Sequence, residues 1–240
     1  MSHGRGRADG APFVDTPARV PASMSIRLAL LGDSMAAGRG ASRRADTPAA
    51  LLADRLRDDG ISATPRVFAV AGAQSRTLSV QVERAIGWRP QVAVIIIGAN
   101  DLIHHTRAGT AARDLGDAVR RLRNVGAEVV VAPAPDLSAL PDIPAGLRPV
   151  LRAASMLLRD FQIVAATSAG AHVADRDHAT SATFAADRTL FCADRFHPSS
   201  AGYAVIAEAL RPAVLAALGA RDERVARPRR LPQQSAGAPA

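Results

Sequence analysis

The chain has 240 residues, 48% of them hydrophobic and only 3% aromatic, so its core must be built from Ala, Val, Leu and Ile. The net charge is +8, and every one of the 30 basic residues is arginine. The shortage of aromatics argues against a stacking platform for single-stranded nucleic acid, and the absence of lysine excludes a P-loop lysine, a Schiff-base lysine and a Ser-Lys dyad.

Residues 1–23 are rich in Gly, Pro, Arg and small side chains and read as a disordered tail. They contain no apolar h-region, so they do not read as a secretory signal. The single cysteine, Cys192, allows no internal disulfide. A cytoplasmic protein is the expectation, with no transmembrane segment and no nucleic-acid partner.

From residue 24 onward, strand and helix patterns alternate. Ile26–Leu31 is a continuous apolar run, as in a strand buried on both faces. Thr47-Pro48 opens a helix carrying Leu51, Leu52 and Leu56, which Gly60 closes. Arg66–Val70 reads as a second strand, and Leu78, Val82 and Ile86 mark a second helix by their i, i+4 repeat. Gln91–Ile97 is dominated by β-branched residues and reads as a third strand.

Thr110 starts a helix with Leu115, Val119 and Leu122 on one face, and Glu128–Ala132 follows as a strand. Leu147–Ala166 reads as a long helix whose expected inner face is Leu151, Ala154, Leu158, Phe161 and Ala165. A brief strand at Ala171–Ala174 precedes a last helix, Ser199–Leu218, with Ile206, Leu210 and Val214 inward and a bend expected at Pro212. Residues 219–240 read as a disordered basic tail, leaving one domain over 24–218. Five strands alternating with helices predict an α/β fold with a parallel sheet covered on both faces.

In such folds the ligand site lies outside the carboxyl ends of the strands. Four segments should meet there: Gly32-Asp33-Ser34, Gly72, Gly98–Asp101, and the Asp194–His197 stretch before the last helix. Together they hold the parts for acyl transfer. A serine hydroxyl needs a base within hydrogen-bond reach, and the imidazole of His197 is the candidate for that base. Asp194, three residues earlier, is spaced to accept from Nδ1 and leave Nε2 facing Ser34. The Ser34 and Gly72 N–H groups and the Asn100 amide are candidate oxyanion donors. Asp33 and Asp101 read as structural carboxylates that brace their loops. The run His172–His178 holds metal-ligand residue types, but its strand places them on opposing sides, so no metal is expected.

The blocks "GDSMAAG", the Gly72 segment, "GAND" and "DRFHPSSAGY" resemble, in order, the four signature blocks of the SGNH/GDSL hydrolase family. The resemblance implies a three-layer α/β/α flavodoxin-like fold with a five-stranded parallel sheet. It implies a serine ester hydrolase acting on small-molecule acyl esters, with no metal or cofactor. By position, Ser34 would be the nucleophile, His197 the base and Asp194 its orienting partner, with Gly72 and Asn100 completing the oxyanion hole. One block departs from the pattern: "VFAVAG" is apolar where many members carry an asparagine before the glycine. Short connections without a lid-like apolar insertion favour small or short-chain acyl groups. Two other readings stay open, an acyltransferase of the same family and a non-catalytic α/β module binding an anion through its arginines.

Overall fold

The computed structural model describes residues 25–226. Residues 1–24 and 227–240, which include the N-terminal tail and most of the C-terminal tail expected above, lie outside the described residues.

Five strands form one parallel sheet in the order β2-β1-β3-β4-β5: β1 Ile26–Gly32, β2 Ala63–Val67, β3 Val92–Ile96, β4 Glu128–Ala132 and β5 His172–Val173. Alternate side chains of the central strands feed two cores. Leu28, Leu30, Val92, Val94 and Val130 face α2 (Pro48–Asp58) and α8 (Ser200–Ala226). Ala29, Leu31, Ala93, Ile95, Val129 and Val131 face α3 (Leu78–Trp88) and α5 (Ala108–Asn124). Both faces of β1 and β3 are therefore dry, which is why these strands read as unbroken apolar runs. The inward residues expected on α5 (Leu115, Val119, Leu122) and on the last helix (Ile206, Leu210, Val214) are all buried. Each such side chain contributes about 1.5–3 kcal/mol by leaving water.

Three of the expected elements take a different course in the structure. The second strand begins at Ala63 rather than Arg66, because β1 aligns with it from Ile26↔Ala63 onward. It is an edge strand whose last four residues are exposed, so no alternation marks it, and Pro65 is tolerated there. The backbone N–H groups of Phe68 and Val70 still donate to Leu30 and Gly32 carbonyls, at 2.8 and 3.1 Å.

The long helix α6 (Arg148–Ser168) is rotated from its expected face. Its inward stripe is Ser155, Leu158, Arg159, Gln162 and Ala166, while Phe161 stays exposed. Those polar side chains replace backbone partners for the turn after β4. Gln162 accepts from the Ala134 N–H (2.7 Å) and donates to the Ile97 carbonyl (3.2 Å); Ser155 accepts from the Leu137 N–H (3.1 Å). Buried backbone groups demand such partners, and here that demand outranks hydrophobicity.

The last helix runs to Ala226, through Pro212, rather than stopping at Leu218. Its final turns are pinned by Arg224 to the carboxylate of Glu128, which is 1% exposed at the start of β4 and is also held by Arg123. Part of the segment read as tail is thus ordered by an ion pair with the sheet. By length and composition α8 could cross a membrane, but half of its most apolar window is buried in the core.

Candidate active site

The first strand ends at Gly32, and the chain turns into α1 (Ser34–Ala37). Asp33 caps this short helix by accepting from the Met35 N–H at 2.9 Å. Gln81 holds the strand end from beneath: its side chain accepts from the Gly32 N–H (2.7 Å) and donates to the Gly32 carbonyl (2.9 Å). Ser34 is thereby set at a rigid corner, 7% exposed.

The histidine comes from a compact loop ahead of α8. The Cys192 N–H donates to the His197 carbonyl at 2.8 Å, and the Ser199 N–H to the Leu190 carbonyl at 2.7 Å, closing residues 190–199 on themselves. Inside the loop, Asp194 Oδ1 accepts from the Phe196 and His197 N–H groups, at 2.9 and 2.8 Å. Gly40 makes the close approach of this loop possible. A Cβ there would sit 2.4 Å from the Pro198 carbonyl oxygen, and φ is +97°. Tyr203 adds a second tie, its buried hydroxyl donating to the Arg39 carbonyl at 2.6 Å.

The result is a hydrogen-bonded chain of three side chains. His197 Nδ1 lies 2.6 Å from Asp194 Oδ2, and His197 Nε2 lies 2.9 Å from Ser34 Oγ. Because a carboxylate only accepts, Nδ1 carries the proton and Nε2 is left to accept from the serine hydroxyl. Partial burial works to raise the Asp194 carboxyl, but hydrogen bonds from His197, the Cys192 thiol and two backbone N–H groups outweigh it, holding the carboxyl well below the usual range. Cys192, at 3.0 Å from Asp194 Oδ1, is a donor the sequence reading missed. Burial and the neighbouring carboxylate push its thiol up, so it stays protonated and keeps donating.

The other strand ends converge on the same edge. Gly72 follows β2 with φ +80°. Asn100, in α4 (Ala99–Ile103), donates one amide hydrogen to the Ala73 carbonyl at 3.1 Å, tying the Gly72 segment to the end of β3. Asp101 is fully buried and accepts from the Ser75 hydroxyl (2.8 Å) and the Ser75 N–H. These contacts hold Ala73 and Ser75, directly after the apolar block that lacks the asparagine many family members carry. Asp33 is 1% exposed; its burial, with the nearby Asp101 charge, pushes its carboxyl up to about 7 against N–H bonds from Met35 and Gly98.

Residues flagged for a metal part company. His172 approaches Glu128 at 3.8 Å at the amino end of the strands, whereas His178 accepts from Arg159 Nε at 3.2 Å. Among the described residues no group of three or more His, Cys, Asp or Glu is arranged to hold a metal.

A five-stranded parallel sheet under two helical layers, with a Ser-His-Asp chain of hydrogen bonds across its carboxyl edge, defines an SGNH-hydrolase fold. The chain belongs to the GDSL-like lipase/acylhydrolase family, whose model matches residues 30–205. It is 35% identical over 205 residues to the GDSL-like esterase Rv1075c of Mycobacterium tuberculosis, across 84% of this chain. This chain spans 65% of that relative's length. Two solved structures share the fold. The psychrotrophic esterase EstA of Pseudoalteromonas superposes with TM-score 0.63 at 17% identity, covering 81% of this chain and all of EstA. A variant of the acetyl-xylooligosaccharide esterase Axe2 of Geobacillus superposes with TM-score 0.63 at 16% identity, covering 80% of this chain and 96% of Axe2.

Proposed function

We propose that this protein is a serine ester hydrolase acting on small-molecule esters with short acyl chains. The observation that carries the reading is the unbroken sequence of contacts Ser34 Oγ–His197–Asp194, at 2.9 and 2.6 Å. Membership of a lipase/acylhydrolase family and the esterases that share the fold support the same conclusion.

Ser34 Oγ attacks the ester carbonyl carbon while His197 Nε2 takes the hydroxyl proton. Asp194 stabilises the imidazolium and keeps its ring in place without itself accepting the proton. The tetrahedral oxyanion is assigned to the Ser34 and Gly72 backbone N–H groups and to the Asn100 amide, which retains a second hydrogen beyond the one given to Ala73. As the C–O bond breaks, His197 passes its proton to the leaving alcohol. Water then attacks the acyl-serine, again deprotonated by His197, releasing the acid in a ping-pong cycle.

The test is hydrolysis of p-nitrophenyl acetate and butyrate by the wild type and by Ser34→Ala. A loss on the order of 10³-fold or more in kcat is expected. Equal turnover by the two proteins would remove Ser34 from the chemistry. Product partition in the presence of a small alcohol separates hydrolysis from acyl transfer.

A further inference from the structure

The loops that carry Ser34, Gly72 and Asn100 have a one-sided charge. Residues 33–47, 68–77 and 97–107, which follow β1, β2 and β3, include the arginines Arg39, Arg43, Arg44, Arg76 and Arg107, all of them exposed. The carboxylates of the same loops are Asp33, Asp46 and Asp101, all buried, at 1%, 9% and 0% exposure. Asp46 is taken by Arg43 and by the Ser200 hydroxyl. Burial lifts the Asp33 and Asp101 carboxyls toward their neutral forms, so they offset little of the arginine charge.

Elsewhere on the surface arginines come with acids: Arg55 with Glu208, Arg57 with Asp54, Arg120 with Asp117 and Arg121 with Glu83. Even in the histidine loop, beyond α7 (Ala179–Ala186), Arg195 is paired, with Asp142 at 2.8 Å. Among the described residues Arg39, Arg44, Arg76 and Arg107 form no such pair. Three of these four are tied to the site through the backbone. The Arg39 N–H donates to the Ser34 carbonyl at 2.9 Å. Arg76 follows Ser75, whose N–H and hydroxyl are held by Asp101. Arg107 follows Thr106, whose N–H donates to the Asp101 carbonyl at 2.8 Å. One uncompensated cation therefore stands on each of the segments bearing Ser34, Gly72 and Asn100.

We propose that this site takes anionic esters, substrates with a carboxylate or phosphate besides the ester group, drawn in by Arg39, Arg76 and Arg107. The proposal rests on Ser34 as nucleophile, because the rim charge matters only where the ester is cleaved. A guanidinium keeps its charge at every working pH, and its fork of donors suits either anion. Three such charges on the order of 10 Å from an anion, acting through water, favour it about fivefold to tenfold at low salt. A neutral ester gains nothing from them.

The experiment uses the full chain and two matched pairs of esters, after subtraction of spontaneous hydrolysis. Mono-p-nitrophenyl glutarate against p-nitrophenyl hexanoate puts the charge on the acyl side. Para-acetoxybenzoate against its methyl ester puts it on the alcohol side. In at least one pair the anionic-to-neutral ratio of kcat/KM should fall about fivefold as salt rises from about 10 mM to about 0.5 M. The pair that responds tells which side of the ester bears the charge. At low salt the combined variant Arg39→Gln, Arg76→Gln, Arg107→Gln should lower the same ratio by about as much. A control with the same loss of net charge, Arg57→Gln, Arg120→Gln, Arg121→Gln, should hold the ratio within about twofold of the wild type. The ratio is insensitive to how much of each protein is active. A ratio that salt leaves unmoved in both pairs, that the rim variant leaves unmoved, or that falls as far in the control as in the rim variant overturns the rim assignment alone. Activity that survives Ser34→Ala on every ester overturns the nucleophile on which it rests.

Discussion

Asp33 should make the protein lose stability as the solution becomes less acidic. Its carboxyl is 1% exposed, and burial together with the Asp101 charge lifts it from 3.8 to about 7. Between those two values the native state keeps a proton that the unfolded chain has released. Stability rises with pH only where the unfolded state holds more protons, so here it falls as pH climbs from about 4 to about 7. At about 1.4 kcal/mol per pH unit, the whole window is worth about 4 kcal/mol. Asp33→Asn removes the titration and keeps an oxygen to accept from the Met35 N–H. Urea denaturation of both proteins at pH 4 to 8 isolates this one group, because every other titration is common to the pair. The stability of the variant relative to the wild type should improve by about 4 kcal/mol across the range, with unchanged m-values. Parallel pH curves, differing by a constant, would show that the Asp33 carboxyl is not held protonated and would refute the reasoning.

Gly40→Ala should push the Asp194–His197 loop off Ser34, lowering kcat/KM at least tenfold and stability by about 1–3 kcal/mol; activity and thermal melts check both. Asp194→Asn should place an amide donor against His197 Nδ1 and favour the wrong tautomer, reducing kcat by on the order of 10⁴ with little change in the melt. Arg224→Ala should fray the end of α8 and leave Glu128 short of a partner, costing about 1–3 kcal/mol. Glu128→Gln in the same chain should recover part of that loss, as a double-mutant cycle by denaturation would measure.

The order of strands and helices was legible because β1, β3 and β4 are buried on both faces and dominated by apolar residues. The proposed site was legible for a related reason: ligand sites of parallel sheets lie at the carboxyl ends of the strands, and Ser34, Asn100, Asp194 and His197 stood out there as polar residues following apolar runs or preceding the last helix. The face of α6 was not, because Ser155, Arg159 and Gln162 are buried by backbone groups they satisfy from 18 to 28 residues away in the chain. No periodicity of hydrophobicity reports such an obligation. The Cys192 thiol and the Gln81 clamp on Gly32 were invisible on the same ground.

Local order in this chain therefore determined by itself which segments become strands, where they turn, and which reactive side chains sit at the turns, since propensity and burial act over a few neighbours. Only the folded arrangement decided that residues 163 apart in sequence share one hydrogen bond, and that a residue read as tail, Arg224, ends a helix paired with Glu128. Those depend on distances between elements, and such distances are set by how whole faces pack against the sheet.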